Sequence, residues 1–176
     1  MIILGIDPGT AITGYGLIKA LGGNRYALID YGSIRTPAQL PMPNRLEQLY
    51  CGAQQLLAAH QPDQVAIEKL FFNRNITTAI PVGQARGVLL LAAAQQKLPI
   101  AEYTPLQVKQ AVVGYGRAEK QQIKYMVARL LKLKEPPKND DAADALAIAI
   151  THAFYAQSWN KQAANRVAVN HKQENL

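Results

Sequence analysis

Cysteine is almost missing from this chain: Cys51 stands alone among 176 residues. One thiol can build neither an internal disulfide framework nor a cysteine-based zinc cluster, so a reducing compartment is expected. Long apolar runs are missing too. The longest, Val88 to Ala94, falls far short of the roughly 20 residues that cross a bilayer. The N-terminal Met1-Ile2-Ile3-Leu4-Gly5-Ile6-Asp7 has no basic leader and meets an acid after one short apolar stretch, unlike a signal peptide. A cytoplasmic protein with no membrane partner is the expectation. His60, His152 and His171 are scattered and form no ligand cluster, and no Gly-x-x-x-x-Gly-Lys-Ser/Thr loop is present. Acids are outnumbered, 12 against 19 Lys and Arg, for a net charge of +7.

What is present fits one folded domain. At 49% hydrophobic and 18% charged residues the chain can bury a core, which argues against wholesale disorder. The positive charge is concentrated: between Lys109 and Lys138 there are eight basic residues and two acids. Such a band suggests a polyanionic partner, usually nucleic acid, although a solvated helix face gives the same pattern.

The run Ile2-Ile3-Leu4-Gly5-Ile6 reads as a strand buried on both faces, followed by turn chemistry in Asp7-Pro8-Gly9-Thr10. Strand patterns from Gly14 to Ala20 and from Tyr26 to Arg35 flank the hairpin signal Gly22-Gly23-Asn24. A helix containing Leu46, Leu49, Ala53, Leu56 and Leu57 comes next. The pattern then alternates: strand 64–68, helix from Asn75 to Gln96 with Asn75 as its cap, strand from Pro99 to Tyr103. Thr104-Pro105 starts another helix, and two more are predicted over Ala118 to Leu133 and Asp140 to Ala156. A meander followed by right-handed crossovers predicts an α/β fold, a mixed five-stranded sheet with helices on both faces. The domain is expected to span 1–156. The tail 157–176, polar and without an apolar period, is expected to be poorly ordered.

Asp7 and Glu68 each close a predicted core strand, at the sheet edge where α/β proteins build sites. If those strands are parallel neighbours, spaced about 4.8 Å, the two carboxylates meet. Like charges held so close are costly without a cation between them. Asp141 and Asp144 share one face of a helix start. Capping by Asp140 or Asp141 explains part of that cluster, and Asp140 is read as the cap. Four carboxylates from three segments suit a hard ion such as Mg²⁺ or Mn²⁺.

In order, Gly5-Ile6-Asp7-Pro8-Gly9, Ala66-Ile67-Glu68, Gly83-Gln84-Ala85-Arg86-Gly87, Val108-Lys109-Gln110 and Asp141-Ala142-Ala143-Asp144-Ala145-Leu146-Ala147 resemble the RuvC family of bacterial Holliday-junction resolvases. The resemblance runs from Ile2 to about Phe154 and implies a ribonuclease-H-like fold. It implies that Asp7, Glu68, Asp141 and Asp144 are the catalytic, metal-binding set, using Mg²⁺ with Mn²⁺ as substitute, one or two ions per subunit. It further implies a homodimer that makes paired symmetric nicks in opposing strands of four-way junction DNA, in recombination and repair, served by the RuvA–RuvB branch-migration complex. Lys109 and Lys120 match basic positions near the scissile phosphate, and Phe71 matches an aromatic that stacks on a junction base.

The residues add their own support. Arg117, Lys120 and Lys124 fall on one stripe of the penultimate helix, opposite Ile123, Met126, Val127 and Leu130, and such a stripe can follow a phosphate backbone. Lys69-Leu70-Phe71-Phe72-Asn73-Arg74-Asn75 sets two aromatics among polar and basic residues just after a carboxylate strand, which fits stacking on an unpaired base. Core or dimer-interface anchoring is the other reading of those aromatics. The apolar helix Asn75 to Gln96 serves either a dimer interface or packing on the sheet. Three other functions compete: a ribonuclease-H-like nuclease of structured RNA, a non-catalytic junction-binding dimer, and an actin-like phosphotransferase. The last needs two such domains, and 176 residues is too short.

Overall fold

The computed structural model describes residues 1–69 and 76–173, with 76–78 and 157–173 as backbone alone. In chain order its elements are β1 (Ile2–Asp7), β2 (Ile12–Gly22), β3 (Arg25–Arg35), α1 (Met42–His60), β4 (Gln64–Glu68), α2 (Ile76–Gln95), β5 (Ile100–Tyr103), α3 (Pro105–Val113), α4 (Lys120–Leu130) and α5 (Asp140–Gln173). The five strands form one mixed sheet in the order β3-β2-β1-β4-β5. β1 is antiparallel to β2 and parallel to β4, as the alternation of elements predicts. The β2–β3 hairpin turns where Gly22, Gly23 and Asn24 all adopt positive φ, which glycine and asparagine tolerate best.

Strand alternation sorts the core into two layers. Leu4, Ile6, Val65 and Ile67 pack with α1 and α2 residues such as Leu49, Leu57 and Leu89. Ile3, Ile18 and Ala66 pack on the other face with Val108, Val127 and the α5 run from Leu146 to Ile150. Helices therefore cover both faces. No helix among the described residues is long and apolar enough to cross a membrane.

α5 lies directly on the sheet because three glycines leave it room. A Cβ on Gly5 would fall 2.1 Å from the Ala145 carbonyl, on Gly14 2.0 Å from that of Asp141, and on Gly16 2.7 Å from the Leu146 side chain. The facing α5 residues Ala142, Ala145 and Ala149 are fully buried. Past Ala156 the backbone continues as helix to Gln173.

α3 starts with a full capping box: Thr104 Oγ1 accepts the Gln107 N–H, and Gln107 Oε1 accepts that of Thr104. α4 begins only at Lys120, so Arg117 lies in the turn before it and not on its stripe. There the Glu119 N–H donates to Gln122 Oε1, which fixes the helix start. Asp140 is not a cap either. Asn139 Oδ1 accepts the Asp141 N–H at 3.0 Å while its amide donates to Ser33 on β3, leaving Asp140 free to pair elsewhere.

Candidate active site

Asp7 and Glu68 end neighbouring parallel strands. Ile6 is in register with Ile67, so each carboxylate comes one residue later, about a strand spacing apart. Alternation turns both toward α5, since Gly5 and Ala66, two residues back, face that layer. From above, the first turns of α5 bring Asp141 and Asp144, seated by the contact of the Asp141 carbonyl with Gly14.

The acids feel one another. Burial, then repulsion by Glu68, Asp144 and Asp141, pushes the Asp7 carboxyl up to about 8, with Lys120 opposing. Glu68 is raised by burial and by Asp144, again against Lys120. Asp144 is raised by burial, although a hydrogen bond from Lys120 pulls it back. Asp7 thus feels the other three acids named from the sequence, which the ends of β1 and β4 and the start of α5 bring to one side of the sheet.

Lys120 supplies the counter-charge. Its Nζ lies 3.1 Å from Asp144 Oδ2 and 3.3 Å from Asp140 Oδ2, while Lys124 Nζ lies 2.8 Å from Asp140 Oδ1. Both lysines of the expected DNA stripe are therefore turned toward α5 acids. A cleft of about 260 Å³ opens beside them, with Glu68, Asp144, Lys109 and Lys120 on its walls and Val108, Ile123 and Ile148 among its apolar residues. Elsewhere in the basic band, Lys132, Lys134 and Lys138 are exposed on the α4–α5 connection, with no carboxylate at ion-pair distance among the described residues. Phe71, Arg74 and Asn75 lie outside the described residues.

The donor set fits a hard cation: it is made of carboxylates alone, and in Asp7, Glu68 and Asp144 burial and neighbouring acids favour the protonated form. Their side chains are not gathered at ligand spacing, because no three His, Cys, Asp or Glu among the described residues are placed to hold an ion together.

Two features escaped the sequence reading. Arg86, quoted there only within a motif, donates from Nε to the Glu68 carbonyl at 3.2 Å and pairs through Nη2 with Glu102 at 2.7 Å. His152, read as an ordinary helix residue, is buried against Tyr103 and Gln64. Its pKa is lowered by burial, and Tyr103 is pushed up to about 12, also chiefly by burial. Neither network has a signature in spacing, since each joins elements far apart in the chain.

The chain is similar to known proteins in sequence and fold. A family model described as Crossover junction endodeoxyribonuclease RuvC matches residues 3–152. Relatives of that name from Desulfitobacterium hafniense (strain DSM 10664 / DCB-2) and Desulforamulus reducens are 64% and 59% identical, over 92% and 90% of this chain and 97% of each relative. The solved structure of Thermus thermophilus RuvC in complex with Holliday junction substrate superposes with a TM-score of 0.86 at 39% identity, covering 90% of this chain and 96% of that one. The yeast mitochondrial Holliday junction resolvase Ydc2 shares the fold, with a TM-score of 0.64 at 15% identity over 91% of this chain and 83% of its own.

Proposed function

The chain belongs to the RuvC family of crossover junction endodeoxyribonucleases, and from that premise we propose that Asp7, Glu68, Asp141 and Asp144 form the centre at which it cuts. It is a Holliday-junction endonuclease, a hydrolase of recombination and repair, and its family's chemistry depends on a divalent metal. The ion is Mg²⁺, one or two per subunit, with Mn²⁺ able to replace it. The observation that carries the assignment is that Asp7, at the carboxyl end of β1 and beside Glu68 at the end of β4, is raised by repulsion from Glu68, Asp144 and Asp141 as well as by burial.

When bound, a hard divalent ion there activates water and stabilises the leaving oxygen of the phosphodiester. The chain's own groups do the rest. The four carboxylates would hold the cation as anions, and the burial and repulsion that raise the Asp7 carboxyl are what a cation beside it would relieve. Lys120 leaves Asp144 for a phosphate oxygen, and Lys109, on the same cleft, contacts the neighbouring backbone. Arg117 and Lys124 extend that contact, while Phe71 stacks on an unpaired base beside Arg74. Residues 1–156 are the nuclease domain.

A junction has approximate two-fold symmetry, so a homodimer would present two such centres to equivalent phosphates and nick opposing strands in pairs. Ile80 and Leu91, both more than half exposed on α2, suit that interface. The chain works in the cytoplasm and receives its junction from RuvA–RuvB, on the strength of family membership.

The test compares a four-way DNA junction, linear duplex and structured RNA as substrates, with and without Mg²⁺. Symmetric nicks in the junction alone, dependent on the ion, are expected. Preferential cutting of RNA would overturn the reading.

A further inference from the structure

We propose that Arg86 is a positioning residue, which fixes Glu68 for metal binding from the opposite side of the sheet. The inference rests on the four-carboxylate reading above. The side chain of Glu68 faces α5, but the last carbonyl of its strand is held from the α2 side, where the Arg86 Nε–H donates to it at 3.2 Å. The same guanidinium reaches Glu102 on β5 at 2.7 Å. Arg86 is largely shielded, with 17% of its side chain exposed. Its neighbours Ala85 and Leu89 lie in the core, so α2 cannot easily shift away.

One planar group therefore ties α2, β4 and β5 together at the residue where the ladder runs out. Among the described residues the Lys69 N–H to Tyr103 carbonyl bond is the next and last one there. Such a tie has work to do, because Asp144 repels the Glu68 carboxylate on the other face. The two contacts are made by different nitrogens of one rigid guanidinium, Nε and Nη2, whereas a lysine ammonium would have to reach both acceptors from a single nitrogen.

Mn²⁺ binding to the DNA-free protein, followed by electron paramagnetic resonance of the free ion, separates positioning from bulk charge. Removing a cation near the site should tighten Mn²⁺ binding if only charge matters. Positioning predicts the reverse: Arg86→Gln weakens Mn²⁺ at least tenfold, the range seen when groups that orient ligands are lost. Arg86→Lys, which keeps the charge and guards against a misfolded glutamine variant, should weaken it similarly. Unchanged or tighter Mn²⁺ binding in either folded variant overturns the proposal. Glu68→Gln run alongside tells the two claims apart. If it leaves Mn²⁺ affinity intact, the carboxylate reading itself fails; if it weakens Mn²⁺ and the Arg86 variants do not, only the role of Arg86 falls.

Discussion

Replacing Asp7 with asparagine removes one of four acids while preserving the size of the side chain and its carbonyl oxygen. In the folded protein the Asp7 carboxyl is pushed from 3.8 to about 8, chiefly by burial and then by Glu68, Asp144 and Asp141. A raised carboxyl takes up a proton on folding, so its contribution is fully present below about pH 4 and is lost as the pH climbs toward 8. Integrating that shift gives a loss of roughly 3–4 kcal/mol between pH 5 and pH 8 from Asp7 alone. For a chain of this size that is about 10 °C in melting temperature. Metal-free wild type, melted in a chelator, should therefore lose stability steadily over this range. Asp7→Asn should be much flatter and overtake it by pH 8. Adding Mg²⁺ or Mn²⁺ at pH 8 should restore the wild type and do little for the variant. Parallel stability curves for the two proteins would refute the electrostatic account of the site.

Other consequences can be checked separately. Gly14→Ala would drive a Cβ to 2.0 Å from the Asp141 carbonyl, so we expect about 2–3 kcal/mol lost in urea melts and cutting reduced far more than junction binding. Unaltered cutting would mean that the seat of α5 does not position Asp141. Changing Lys132, Lys134 and Lys138 together to Gln should flatten the log–log salt dependence of junction binding by about two to three, at just under one per phosphate contact. An unchanged slope would remove the α4–α5 connection from the DNA interface.

The fold and the acids were legible for local reasons. A β-branched run ending in Asp7 and a second strand ending in Glu68 place both at carboxyl ends. Period-two alternation then assigns the face without tertiary knowledge. Asp141 and Asp144 were legible from the spacing of three. The helix start was not. Asn139 and Asp140 are both good caps, and the choice is made by Ser33, 106 residues earlier, which receives the Asn139 amide. Similarly, Arg117 looks helical by spacing, yet Gln122 ends the helix at Glu119 by accepting its N–H. Lys120 and Lys124 do share a helix face, but their orientation toward Asp140 and Asp144 depends on how α4 crosses α5. The Arg86 clamp depends likewise on α2 passing beneath β4 and β5, which no spacing encodes.

The most direct measurement is single-turnover nicking of a four-way junction in Mg²⁺ by Asp7→Asn, Glu68→Gln, Asp141→Asn and Asp144→Asn, each with its junction affinity measured in Ca²⁺. Four variants that bind within a few-fold of wild type and cut at least a thousandfold more slowly are the predicted result. Any one of them cutting at the wild-type rate would contradict a centre built from all four acids.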